Sequence, residues 1–125
     1  MTKTNNKESE VLARLAAQTL DTKKAEDVRI LDLRNVHGAP AEYFVIASGN
    51  VPSHVSALSD VVFETIKKAT GLNPHKIEGY QNAEWILMDY FDVVIHIFEK
   101  QKRAFYRLDE LWNDGTEITL TTNQQ

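Results

Sequence analysis

Two aspartates are the first candidates for chemistry in this sequence. Asp89 and Asp92 flank the short segment Tyr90-Phe91, which separates two apolar runs. A pair of carboxylates can bind Mg²⁺ or share acid–base catalysis. Aspartate side chains also satisfy the backbone polar groups of tight turns, so turn formation is the simpler interpretation of this pair.

The dipeptide Ser48-Gly49 is a second candidate, because it lies between an apolar run and a helical pattern. Such a junction can hold a phosphate group through the backbone N–H groups of the helix N-terminus. The segment lacks a glycine-rich fingerprint, and Pro52 removes one N–H donor. Combined with Asp89 and Asp92, it gives the alternative hypothesis of a metal-dependent nucleotidyl or phosphoryl transferase.

Histidine and cysteine give little support to a metal site. The sequence has no cysteine, which excludes disulfides, thiolate metal sites and a cysteine nucleophile. The histidines, which lack a short ligand spacing, are His37, His54, His75 and His96. His96 falls in a strand pattern, where a hydrogen-bonded core or interface residue is the simpler interpretation. We therefore predict no metal, no cofactor and no catalytic residue.

Large aromatic side chains are concentrated between residues 84 and 112. Phe105, Leu108 and Leu111 recur at helical spacing, and we expect them to pack on a sheet. The side chains that fit either a core or an exposed interface are Trp85, Tyr90 and Tyr106. Tryptophan and tyrosine dominate the energetics of many protein interfaces, so these positions are candidates for partner contacts.

A predicted β-hairpin positions most of these residues. Its strands are Trp85 to Met88 and Val93 to Phe98, rich in β-branched and aromatic residues. Alternation along the first strand gives one face Trp85, Leu87 and Asp89, and the other face Ile86, Met88 and Tyr90. In the second strand, Val93, Ile95 and Ile97 oppose Val94, His96 and Phe98. Both faces are apolar, so both need to be covered.

The remaining elements complete a predicted α/β fold with a five-stranded mixed sheet and three helices, in the order α-β-β-α-β-β-β-α. Apolar periodicity predicts a helix from Glu8 to Leu20, and a second helix is predicted to start near Asn50, its expected cap, and to end at Gly71. The other predicted strands are Val28 to Leu33, Tyr43 to Ser48 and Lys76 to Glu78. A right-handed parallel crossover is expected around the second helix. We predict a disordered N-terminus (1–7), one domain (8–114) and a flexible polar tail (115–125).

Three helices are few for such a sheet. Five strands about 4.8 Å apart span about 24 Å, whereas one helix covers about 10 Å. Either short strands and loops complete the cover, or part of one apolar face meets a partner. The pattern leaves both alternatives open.

Composition limits the partners. The 125 residues carry a net charge of −4, which disfavours direct nucleic-acid binding and permits a basic protein partner. The dense basic patch Lys100, Lys102, Arg103 and Arg107 is expected to be a solvated helix face. The start of the chain lacks a signal-peptide pattern, and no apolar run approaches the roughly 20 residues that span a bilayer. We therefore expect a cytoplasmic protein without a membrane partner.

Four segments, in matching order, resemble the ribosomal silencing factor family, also called the Iojap family. They are YFVIASGN (43–50), IEG (77–79), EWILMDYFDVVIHIF (84–98) and RAFYRLDELW (103–112), and KKAEDVRILDLR (23–34) fits as well. The sequence departs from the family pattern at Glu42, Val51, Phe91 and Asp109. Phe91 replaces a usual glycine in the hairpin, so either the turn type differs or the ring adds to a contact surface.

The resemblance implies a fold similar to nucleotidyltransferases but a different activity. Such proteins bind the large ribosomal subunit through large-subunit ribosomal protein fourteen, block subunit joining and repress translation when nutrients are scarce. The family's contact surface implies partner-binding roles for Trp85, Leu87, Asp89, Tyr90, His96, Phe98 and Tyr106. Some members form homodimers, so a second copy is a further expected partner.

Overall fold

The computed structural model describes residues 6–119, in which helices alternate with strands of one sheet. The helices are α1 Asn6–Thr22, α2 Pro52–Thr70, α3 Lys100–Tyr106 and α4 Leu108–Leu111. The strands are β1 Glu26–Asp32, β2 Tyr43–Gly49, β3 Lys76–Glu78, β4 Trp85–Asp89, β5 Val93–Glu99 and β6 Thr116–Ile118. The predicted α/β class and element order are confirmed, with one strand more than the five expected and a last helix divided in two.

The six strands form one mixed sheet in the order β3-β4-β5-β2-β1-β6. Strands β2 and β5 run parallel, with Tyr43 opposite Val93 and Gly49 opposite Glu99. The other neighbouring strands are antiparallel, including the predicted β4–β5 hairpin. The parallel neighbour of β2 is thus β5. Strand β3, which follows β2 along the chain, lies instead at the sheet edge beside β4.

Helices α1 and α2 pack on the same face of the sheet. The apolar stripe of α2 is buried there, through Val55, Leu58, Val62 and Ile66. The sheet side chains beneath the helices include Ile86, Met88, Tyr90, Val93, Ile95 and Ile97. The predicted alternation of the hairpin is therefore confirmed. Because both long helices cover one face, the opposite face depends on other elements.

The ends of α2 show how local sequence sets its limits. Pro52 lies in the first turn, where its missing N–H costs nothing. Asn50 does not cap the helix as predicted, because the extended residue Val51 occupies the N-cap position and makes no side-chain cap bond. The N–H of Asn50 instead donates to Nδ1 of His54 at 3.1 Å. At the C-terminus Gly71 has a φ of 79° and donates to the carbonyl of Lys67, as its type predicts.

The structure also describes parts of both predicted flexible ends. Residues 6 and 7 already belong to α1, and β6 pairs with β1 within the predicted tail, where Ile118 lies opposite Ile30. The other residues of those segments, 1–5 and 120–125, lie outside the described residues. Between residues 6 and 119, none of the helices is long and apolar enough to cross a membrane.

Candidate functional site

The sheet face opposite α1 and α2 has its own apolar layer. Its buried residues are Leu31, Leu33, Phe44, Ile46, Val94, Phe98 and Leu108. Partly exposed side chains continue this layer, and two more aromatic side chains lie at its border on α3. We call the following set the aromatic surface: Trp85, Leu87, Phe105, Tyr106 and Trp112.

Ring contacts join most of the aromatic surface. The Trp85 ring stacks on buried Phe98 with centroids 4.9 Å apart and meets Tyr106 at 4.9 Å. Tyr106 in turn contacts Phe105 edge to face at 5.3 Å. Phe105 is 73% exposed and Tyr106 is 38% exposed. The side of the protein away from the long helices therefore presents large rings to solvent.

A break in the last helix separates exposed Phe105 from buried Leu108. Arg107 adopts a left-handed conformation with a φ of 58°, and its N–H donates to the carbonyl of Arg103. The break ends α3 and lets α4 start in a new direction, which buries Leu108. The prediction that Phe105 and Leu111 pack in the core is wrong, since Leu111 is 71% exposed. It assumed one continuous helix with one buried stripe.

A buried guanidinium group holds α3 and α4 to the sheet. Arg103, only 8% exposed, donates to the carbonyl of Asp27 at 2.7 Å, to Oγ of Ser48 at 3.0 Å and to Oδ2 of Asp109 at 2.9 Å. Asp109 also accepts a bond of 2.6 Å from Arg29 on β1. The expectation that Arg103 belongs to a solvated basic patch is wrong, because its charge is satisfied inside the protein.

These charges control the protonation of Asp109. Burial raises the pKa of the Asp109 carboxyl, but the hydrogen bonds and charges of Arg103 and Arg29 outweigh burial and hold that pKa below its usual value. The carboxylate therefore stays ionised and links α4 to both arginines. We call Arg29, Arg103 and Asp109 the ion cluster. Through its bonds, the ion cluster fixes the position of the helices that border the aromatic surface.

Beneath the aromatic surface, a hydrogen bond orients Trp85. Its Nε1–H donates to Nδ1 of His96 at 3.1 Å, so the proton of the neutral imidazole lies on Nε2. His96 is 3% exposed, and burial lowers its pKa to about 3, although the charge of Asp109 opposes this shift. Its Nε2 has no hydrogen-bond partner among the described residues. The Phe44 ring meets the imidazole edge to face at 4.5 Å.

Six of the seven predicted partner-binding residues divide into three groups, and Asp89 is the seventh. Trp85, Leu87 and Tyr106 reach solvent on the aromatic surface. Phe98 and His96 are buried under it and support it from below. Tyr90 lies on the opposite face, in the core beneath the long helices, where burial raises its pKa to about 12. Alternation along β4 explains this difference, and it makes Tyr90 unavailable for contact in this conformation.

Asp89 serves the hairpin turn. Its Oδ1 accepts the N–H of Phe91 at 2.8 Å, which is the turn-forming arrangement expected from its type. Phe91 has a φ of 71° and is 65% exposed. The backbone therefore keeps a conformation that suits glycine, although a bulky residue occupies the position.

The residues of the transferase hypothesis do not come together. Ser48 pairs with Phe98 near the end of β5, whereas Asp92 precedes the start of that strand. Along β5 this separation corresponds to about 20 Å. Ser48 is bonded to Arg103, and residues 6–119 contain no group of three His, Asp or Glu side chains that could hold a metal ion.

Comparison with known proteins identifies the family of this fold. The family described as "Ribosomal silencing factor during starvation" matches residues 6–125. The chain belongs to the ribosomal silencing factor family. The ribosomal silencing factor RsfS of Halalkalibacterium halodurans is 36% identical over 109 residues, which cover 87% of this chain and 92% of that protein. The RsfS of Bacillus subtilis is 36% identical over 104 residues, which cover 83% and 86% of the two chains.

Solved structures agree with this assignment. A crystal structure from Chromobacterium violaceum superposes with a TM-score of 0.79 at 28% identity and covers 93% of this chain and 94% of that one. The fold described above is therefore shared with this solved protein.

Proposed function

We propose that this protein binds the large ribosomal subunit through large-subunit ribosomal protein fourteen and thereby prevents the small subunit from joining. The observation that carries the proposal is the aromatic surface, where Trp85, Tyr106 and Phe105 form a connected set of rings on the face that the long helices leave open. The protein would act in the cytoplasm and repress translation when nutrients are scarce.

The physical character of the aromatic surface supports a protein partner. Tryptophan and tyrosine supply large contact areas at a low cost in conformational entropy. Trp85 is already held by its bond to His96 and by stacking on Phe98, so it loses little freedom on binding. The net charge of −4 favours a basic ribosomal protein over bare RNA.

The proposed mechanism is steric. A domain bound at the subunit interface occupies space that the small subunit must enter, and no bond is made or broken. Its affinity must compete with a large subunit–subunit interface, so a few buried aromatic contacts are expected to supply most of the binding energy. Trp85→Ala should weaken binding by roughly 2 kcal/mol or more.

A matched pair of tyrosine variants tests the location of the site. Tyr106 is 38% exposed on the aromatic surface, and Tyr80 is 44% exposed and bonded to Asp60 of α2, on the side of the long helices. We expect Tyr106→Ala to reduce co-sedimentation with large subunits in a sucrose gradient and to restore subunit joining. Tyr80→Ala should behave like the wild type in both assays.

Two results would count against the proposal. Wild-type protein that stays at the top of the gradient while subunits join would refute the ribosomal function. Equal behaviour of Tyr106→Ala and Tyr80→Ala would refute the assigned surface. Light scattering of the free protein tests the separate expectation of a homodimer.

A further inference from the structure

The tip of the β4–β5 hairpin combines backbone strain with an exposed ring. Phe91 holds a φ of 71°, a conformation that bulky residues rarely adopt and that glycine adopts freely. The ring is nevertheless 65% exposed and contacts the ring of His75 at a centroid distance of 4.5 Å. Core packing therefore explains neither the side chain nor its conformation, and strained residues of this kind concentrate at functional positions.

The surroundings of the Phe91 ring are acidic. Asp89 and Asp92 form the turn itself, and Glu42 lines the same surface cavity as Phe91 and Asp92. One carboxylate oxygen of Glu42 has no hydrogen-bond partner in the described part of the chain. The nearby cation Arg34 is already paired with Asp32 at 2.7 Å.

We propose that Phe91 is a specificity-determining contact that receives an arginine side chain of the partner protein on its exposed ring. A planar guanidinium can stack on an aromatic face while nearby carboxylates attract its charge. The net charge of −4 is consistent with a cationic partner surface. This inference rests on the proposed function, because the partner is the ribosomal protein that the aromatic surface binds.

Two glycine variants separate the ring from the backbone strain. Lys24 has the same φ of 71° as Phe91 but lies in the loop between α1 and β1, so Lys24→Gly relieves an equal strain away from the hairpin. Phe91→Gly should weaken binding to purified large ribosomal subunits about tenfold, since a cation–π contact is worth about 1 to 2 kcal/mol when desolvated. Its melting temperature should not fall. Lys24→Gly should bind like the wild type.

Two further variants identify the chemistry of the contact. Phe91→Tyr keeps the aromatic face and should bind within about twofold of the wild type. Phe91→Leu keeps an apolar side chain and the backbone strain but removes the ring, and it should bind as weakly as Phe91→Gly. Wild-type affinity in Phe91→Leu would overturn the arginine contact.

The outcomes also distinguish this inference from the proposed function. If the wild type binds large subunits and Phe91→Gly binds equally well, the role of Phe91 is refuted and the aromatic surface stands. If the wild type does not bind, the proposed function and the Phe91 contact both fail.

Discussion

The protonation of His96 gives a quantitative test of the structure. The imidazole is buried, accepts the Trp85 N–H and has a pKa lowered to about 3, whereas an exposed histidine in the unfolded chain titrates near 6.5. Below pH 6.5 the unfolded state therefore binds a proton that the folded state excludes. The free energy of unfolding must fall as the pH decreases from 6.5 towards 3.

The size of the effect follows from the difference in proton binding. Each pH unit below the unfolded pKa costs about 1.4 kcal/mol, so lowering the pH from 6.5 to 5.0 should reduce the free energy of unfolding by about 2 kcal/mol. Three carboxyl groups have lowered pKa values and change the free energy of unfolding only at lower pH. They belong to Asp32, Asp109 and Glu117. Their stabilising contribution is present above their unfolded pKa values near 4 and is lost below them. The interval from pH 6.5 to 5.0 thus separates the effect of His96 from that of these three carboxyls.

Urea unfolding followed by tryptophan fluorescence measures this slope directly. His96→Gln keeps an oxygen that can accept the Trp85 N–H but cannot titrate, so it should remove most of the pH dependence. His37→Gln, in an exposed loop, should leave it intact. A wild-type free energy that stays constant between pH 6.5 and 5.0, or an unchanged slope in His96→Gln, would refute the assignment of a buried neutral imidazole.

Further predictions concern the ion cluster, two glycines and the aromatic surface. Arg103→Met should reduce the free energy of unfolding by about 3 kcal/mol in urea, because it leaves buried polar partners unpaired, whereas Arg107→Met at the exposed surface should change it little. Gly79→Ala should destabilise more than Gly38→Ala in thermal melts, since both glycines have positive φ but only at Gly79 would a Cβ atom overlap a carbonyl oxygen of β4. Phe105→Ser should leave the melting temperature unchanged and weaken binding to large subunits, and normal binding would exclude Phe105 from the contact.

Much of the fold was predictable because its local signals agree with its packing. Pro52 and Gly71 mark the limits of α2, and the alternation of β4 separates Trp85 from Met88 correctly. Strand β6 lies in the predicted polar tail and was not among the five strands expected, since three residues give too short a pattern for alternation to be visible. Its existence depends on pairing with β1, and long-range pairing is not encoded in local periodicity.

The location of the aromatic surface could not be predicted from periodicity alone. Alternation along β4 and β5 shows that two apolar faces exist, but it does not show which face α1 and α2 will cover. That choice depends on the topology, in which the chain leaves β2, forms α2, passes to the edge strand β3 and returns through the hairpin to place β5 beside β2. Once both helices lie on one face, the opposite face must be completed by short elements or by a partner.

The orientation of Phe105 illustrates the same limit at the level of a single helix. At 100° per residue, Arg103 and Phe105 point about 200° apart, so only one of them can face the sheet. Hydrophobicity alone would place Phe105 against the sheet, because a charged residue is rarely buried unless it is fully paired. The deciding partners of Arg103 are the carbonyl of Asp27, Ser48 and Asp109, the first two of which come from distant parts of the sequence. Once these bonds bury Arg103, Phe105 must point towards solvent, and a polar cluster at the ends of β1 and β2 thereby exposes the ring that we propose contacts the ribosome.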